Sequence, residues 1–108
     1  MNATEKAVES FHNPYSCAQA VAAAFDENIS AQKLDFMRQN SAGKAPNGIC
    51  GALFAAIDAA HGENADAISR EFAKKAGSTA CREIKTRHKT PCAECVRIAA
   101  EIVEKLGK

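Results

Sequence analysis

The 108-residue chain has no tryptophan, a single tyrosine and only three prolines. Long apolar runs are missing, because Lys, Asp, Glu or His punctuates every stretch before it reaches the length of a membrane span. Neither sign of charge prevails. Fourteen basic side chains stand against thirteen acidic ones, a formal net charge of +1 that argues against nucleic acid or another polyanion as a dedicated partner. The opening residues, Met1-Asn2-Ala3-Thr4-Glu5-Lys6, lack the apolar core of an export signal, so the expected location is the cytoplasm with no membrane contact. There is no glycine-rich nucleotide loop, and no paired carboxylates or nucleophile–base constellation marks a hydrolase.

Large apolar side chains are scarce too. Alanine accounts for 23 residues, whereas Ile, Val, Leu, Phe and Met together number only 21. Each of those, fully buried, is worth roughly 1.5–3 kcal/mol, against roughly 1–2 kcal/mol for ordering each residue's backbone. The core is therefore thin, and a metal, a disulfide or a partner subunit is a reasonable expectation. The length fits one domain over residues 1–108. With 46% hydrophobic and 25% charged residues, the composition is that of a folded chain rather than a disordered one.

What is present reads as helix. Ala, Glu, Lys and Gln dominate, and no segment alternates with period two over a useful length. The pattern predicts an all-α bundle of about six helices. The first runs from Thr4 to His12 and stops at Asn13-Pro14. Ser16 caps a second, from Cys17 to about Glu27, and Ser30 caps a third through Gln39. After the loop Asn40–Pro46, Asn47 is expected to cap a fourth helix through about His61, with Gly62 as its stop. Asn64 caps a fifth that ends at Gly77, and Ser78 restarts a short one through Cys81 to Ile84. A basic loop, Lys85–Lys89, then leads to the last helix, with Thr90 as cap, Pro91 at its first position and Gly107 as its stop.

Five cysteines, Cys17, Cys50, Cys81, Cys92 and Cys95, dominate the chemistry. An odd number without an export signal is a poor disulfide scaffold, so metal binding or redox chemistry is the better reading. On the expected helices, Cys17, Cys50, Cys81 and Cys92 all fall in a first turn. Unpaired amides and the macrodipole there favour a thiolate, the form that attacks disulfides and binds metals. Six basic residues and one acid between Lys74 and Thr90 are expected to favour thiolates at Cys81 and Cys92 further. Cys92-Ala93-Glu94-Cys95 is a C-x-x-C, and with His88 it extends to H-x3-C-x2-C, which together with Cys81 or Cys50 makes a tetrahedral zinc site conceivable. His12 and His61, at helix ends, read as surface residues.

These residues also resemble a family. Tyr15-Ser16-Cys17-Ala18-Gln19-Ala20-Val21, Cys50-Gly51-Ala52, Gly77-Ser78-Thr79-Ala80-Cys81-Arg82, and Cys92 leading Val96–Val103 follow one another in the order of the C_GCAxxG_C_C family of redox-active proteins. The glycine that closes the family's motif is Ala55 here. The resemblance maps the four characteristic cysteines onto Cys17, Cys50, Cys81 and Cys92 and leaves Cys95 outside them. It implies electron transfer or thiol redox chemistry. Related domains in split-Soret-type cytochromes carry an iron–sulfur centre, so a cluster on those four thiolates is one expectation and dithiol/disulfide cycling another. Cys95 is then an extra metal ligand, a resolving thiol or a core side chain. The alternative is a structural helical module stiffened by zinc or a disulfide. The redox partner is not readable from the sequence, whereas alanine-rich helix faces permit a homodimer.

Overall fold

The computed structural model describes residues 2–12, 15–41 and 44–106. Within them lie seven α-helical segments and no strand, a small all-α bundle as the sequence predicts. Three of the expected boundary residues or pairs, Asn13-Pro14, Ala42-Gly43 and Gly107, lie outside the described residues. No helix among the described residues is long and apolar enough to cross a membrane.

Helix α1 spans Ala3–Ser10, capped by Asn2, whose side chain accepts the Glu5 amide. Helix α2, Cys17–Ala24, opens with a full capping box. Ser16 accepts the Gln19 amide and the Gln19 side chain returns to the Ser16 amide. Helix α3, Ala31–Gln39, is capped by Ser30 through the Lys33 amide. These starts lie where the sequence places them, because each is written into four adjacent residues.

The later helices depart from expectation. Asn47 does not cap a helix. It sits at φ 63° inside a 3-10 turn, Pro46–Gly48, and α4 begins only at Gly51 and ends at Ala59. Helix α5 spans Ala65–Ala76; Asn64 precedes it in a left-handed conformation without a side-chain cap, and Gly77 closes it at φ 105°. Helix α6 is one short piece, Cys81–Glu83, preceded by Ala80 rather than capped by Ser78. The basic stretch is not a loop but a π-helical turn, Ile84–His88, anchored by buried Ile84. Helix α7, Cys92–Lys105, has Pro91 at its cap position, and the Thr90 hydroxyl donates instead to the Ala76 carbonyl, 2.9 Å away.

Helices α2 and α7 are central: α2 packs on α1, α3, α4 and α7, and α7 on α1, α2, α4 and α5. Their faces are small. Ala18, Ala20 and Val21 of α2 and Val96, Ala99 and Ala100 of α7 are fully buried. Alanine at these contacts lets helix axes approach closely, while Leu53, Ile68, Phe72 and Met37 fill the wider gaps. Ala55 is also fully buried, so the α4 face accommodates a methyl group where the motif has glycine.

Candidate functional site

Three of the cysteines are the first residue of a helix, Cys17 of α2, Cys81 of α6 and Cys92 of α7; Cys50 is the residue before α4. Long-range pairing gathers these starts. Ile49 and Ala80 form an isolated antiparallel bridge, and the Cys50 amide donates to the Thr79 carbonyl at 2.8 Å. The approaches to α4 and α6 thus run side by side and bring Cys50 and Cys81 together. At the other flank, the Ser16 and Ser41 hydroxyls lie 2.8 Å apart, and Ser41 also donates to the Met37 carbonyl, tying the start of α2 to the end of α3.

Gly51 fits between them. A Cβ there would lie 2.8 Å from the Cys17 Sγ, 2.9 Å from the Asn40 carbonyl oxygen and 3.0 Å from the Ser41 Cα. Two of those atoms are backbone and cannot swing aside. Gly51→Ala is therefore expected to destabilise the fold by about 1–3 kcal/mol through overpacking, read from denaturant midpoints at constant slope. An unchanged midpoint would show that α4 does not press on Cys17.

All five cysteines line one cavity of about 150 Å³ together with Phe11, His12, Ser16, Ser41, Gly51, Ile84, Lys85 and Thr90. The cysteines expected at one address share it. No disulfide links them. Cys50 and Cys95 are buried, whereas Cys17, Cys81 and Cys92 are partly exposed.

The thiols are not equivalent. Cys50 is hydrogen-bonded by Cys95, and that bond lowers its pKa to about 7 despite burial, helped by the Leu53 and Ala52 amides and by the Lys85 charge. No side-chain hydrogen bond caps α4. The same interaction, with burial, pushes the Cys95 thiol upward. Cys81 departs from the expected depression. Burial pushes its thiol up, and Lys85 opposes this without overcoming it, while charge on Cys50, Cys92 and Cys17 adds to the rise. Lys85 is the main counter-charge. Its ammonium is held above its ordinary range by Cys92 and Cys81, and it hydrogen-bonds Cys92.

Two cavity residues escaped the sequence reading. His12 is exposed, as expected of a surface residue, and it also lines the cavity at φ 63°, its ring 3.9 Å from that of Phe11. Lys85 was one of six basic residues, with nothing in the spacing to single it out. His88, by contrast, is absent from the cavity wall: it is exposed, and its ring lies across Gly77. For the H-x3-C-x2-C arrangement, no group of three His, Cys, Asp or Glu side chains placed to hold an ion is found among the described residues.

The donor set, five thiols around one cavity, is compatible with a metal cofactor. Its arrangement is not closed on an ion, because among the described residues no three His, Cys, Asp or Glu side chains are grouped to hold one. The family model for C_GCAxxG_C_C, described as a putative redox-active protein, matches residues 15–106. No curated protein and no solved structure matches the chain.

Proposed function

The chain belongs to the C_GCAxxG_C_C family of redox-active proteins, and we propose that it works by two-electron thiol–disulfide exchange at Cys50 and Cys95. One observation carries this reading: Cys50 and Cys95, the two buried thiols, line the same cavity, where their interaction lowers Cys50 to about 7 and raises Cys95. Cys50 is the attacking thiolate. It displaces one sulfur of an oxidised substrate and forms a mixed disulfide. Cys95 then attacks the Cys50 Sγ, its proton passes to the departing sulfur, and a Cys50–Cys95 disulfide remains. Two thiols lose two electrons and one substrate S–S bond is reduced. Cys17, Cys81 and Cys92 lie in the same wall, with Lys85 as the positive charge beside them.

Equilibration with thiol–disulfide buffers, followed by alkylation and peptide mapping, tests it. A single two-electron transition between about −150 and −350 mV, yielding the Cys50–Cys95 bridge, is expected. If every thiol stays unchanged over that range, or the bridge joins other cysteines, the reading fails.

A second reading, a metal centre on the same thiols, is favoured by their convergence on one cavity. Cys17, Cys50, Cys81 and Cys92 are its candidate ligands, with Cys95 as an additional one, and iron–sulfur and zinc are the metals their chemistry suits. Anaerobic purification with iron, zinc and sulfide analysis decides it.

A further inference from the structure

One wall of the cavity is built by residues 81–92, which contribute Cys81, Ile84, Lys85, Thr90 and Cys92 to it. The same segment is densely basic. Arg82, Lys85, Arg87 and Lys89 are all exposed, and Glu83 is the one acid among them. Residues 82–89 therefore carry a formal charge of +3, while the other hundred residues carry −2 to give the net +1. The chain is close to neutral in sum but lopsided, with its positive end on the segment that forms the cavity wall.

This charge is not answered within the chain. Elsewhere Lys6, Lys33, Arg38, Lys75 and Arg97 each pair with a carboxylate. Among the described residues Arg82, Lys85, Arg87 and Lys89 pair with none, and no carboxylate lines the cavity. Like charges crowded on one short turn repel one another, so the cluster weakens the turn that carries it. Its use lies in meeting a negative surface brought from outside. Cys17, Cys81 and Cys92 are partly exposed in the same cavity, so a surface docked on this turn arrives beside the sulfurs.

The composition of the segment selects the kind of partner. Its one large apolar side chain, Ile84, is buried, which leaves nothing to insert into a lipid surface. It has no aromatic residue on which a nucleic-acid base could stack. We propose that residues 82–89 are a docking face for an acidic patch on a redox partner protein, which they steer and orient onto the cavity. The inference rests on the cavity being the redox centre, and not on which of its sulfurs reacts.

The test uses the reduced full chain and three short peptides. Each peptide carries one cysteine activated as a mixed disulfide with thionitrobenzoate, set among glutamates, glutamines or lysines. All five cysteines line the cavity, so release of yellow thionitrobenzoate reports arrival there whichever sulfur reacts. In about 0.01 M salt the glutamate peptide is expected to react about tenfold faster than the glutamine peptide, and the lysine peptide more slowly than either. The differences are expected to vanish at about 1 M. The ratio of glutamate to glutamine rates cancels any change in the reactivity of the thiols themselves. Arg82→Gln/Arg87→Gln/Lys89→Gln keeps Lys85 and is expected to lower that ratio to about twofold or less. Lys6→Gln/Arg38→Gln/Arg70→Gln removes the same charge from exposed positions outside the wall and is expected to leave the ratio unchanged. Equal rates for the three peptides, an equal loss in both triple variants, or no release from any peptide would overturn the inference. So would a labelled oligothymidine that bound the native chain more tightly than a glutamate peptide of equal charge and lost that binding in the first triple variant, since the face would then read nucleic acid. An activated disulfide needs only one accessible thiol, so these outcomes are separate from the redox titration. Absence of a Cys50–Cys95 bridge in thiol–disulfide buffers sinks the exchange reading alone, and absence of charge selection sinks the docking face alone.

Discussion

Cys50→Ala is expected to abolish the fast, pH-dependent alkylation of the protein and, with it, all disulfide formation in the cavity. In the native chain the iodoacetamide rate should rise through a step centred at about pH 7, the value to which the Cys95 hydrogen bond lowers Cys50. The size of the step can be bounded. At pH 7 such a thiol is about half ionised, against a few per cent for an ordinary one. Lower basicity weakens the thiolate, since the Brønsted slope is about 0.4–0.5, which takes back close to an order of magnitude for two pK units. Ionisation wins, leaving a gain of roughly fivefold at neutrality. Cys95→Ala removes the hydrogen bond, so its midpoint should move upward toward that of an ordinary thiol. The same shift gives a stability profile. A depressed thiol pKa stabilises the fold above the unfolded value, and this contribution is lost as pH falls through about 7. Cys95, shifted the other way, contributes below the unfolded value and loses that contribution as pH rises beyond it. The stability maximum from this pair thus lies near the ordinary thiol value of about 8.5. A native alkylation profile with no step near neutrality, or one that survives Cys50→Ala, would contradict the assignment of Cys50 as the attacking group.

How far the site could be read in advance depended on whether its cause was local. The start of α2 was legible because Ser16 and Gln19 complete a capping box within four residues, and Cys17 follows directly. The start of α4 was misplaced because Ile49 is held extended by its bridge to Ala80, thirty-one positions away, so Asn47 never reaches a helix. Thr90 has the chemistry of a cap but spends its hydroxyl on Ala76, a contact between α5 and α7 that no sequence window contains. The four family cysteines were found through their shared position at helix starts, which survives in three of them and shifts by one residue in Cys50. The pairing was not found. The C-x-x-C spacing directs attention to Cys92 as the neighbour of Cys95, whereas helix packing turns Cys95 inward onto Cys50. The depression expected at Cys81 failed for an energetic reason, since proximity to positive charge was legible but the opposing burial was not.

The second large effect is expected at Gly77. This residue ends α5 at φ 105°, ψ −27°, with its amide donating to the Ala73 carbonyl at 2.8 Å. Its Cα is covered by the His88 ring, so that a Cβ would lie 2.3 Å from His88 Cγ and 2.5 Å from Nδ1. Gly77→Ala therefore meets two penalties. Holding a side-chain-bearing residue at that φ costs of order 1–3 kcal/mol, and the overlap with the ring costs typically 1–3 kcal/mol more. His88 is exposed and can swing away, which relieves part of the second penalty and none of the first. The net expectation is a loss of about 2–5 kcal/mol, a large share of the roughly 5–15 kcal/mol that holds a small domain together. A melting temperature lower by about 4–8 °C for each kcal/mol follows for a chain of this size. The double variant Gly77→Ala/His88→Ala separates the two penalties: it should recover the overlap and keep the backbone strain. The consequence reaches the site because His88 and Lys85 belong to the same π turn. Moving that turn moves the ammonium that faces Cys92 and helps depress Cys50, so the Cys50 midpoint should rise in Gly77→Ala and return in the double variant. Full stability in Gly77→Ala would show that the ring does not rest on Gly77. Lost stability with an unmoved Cys50 midpoint would show that the π turn does not set the electrostatics of the cavity.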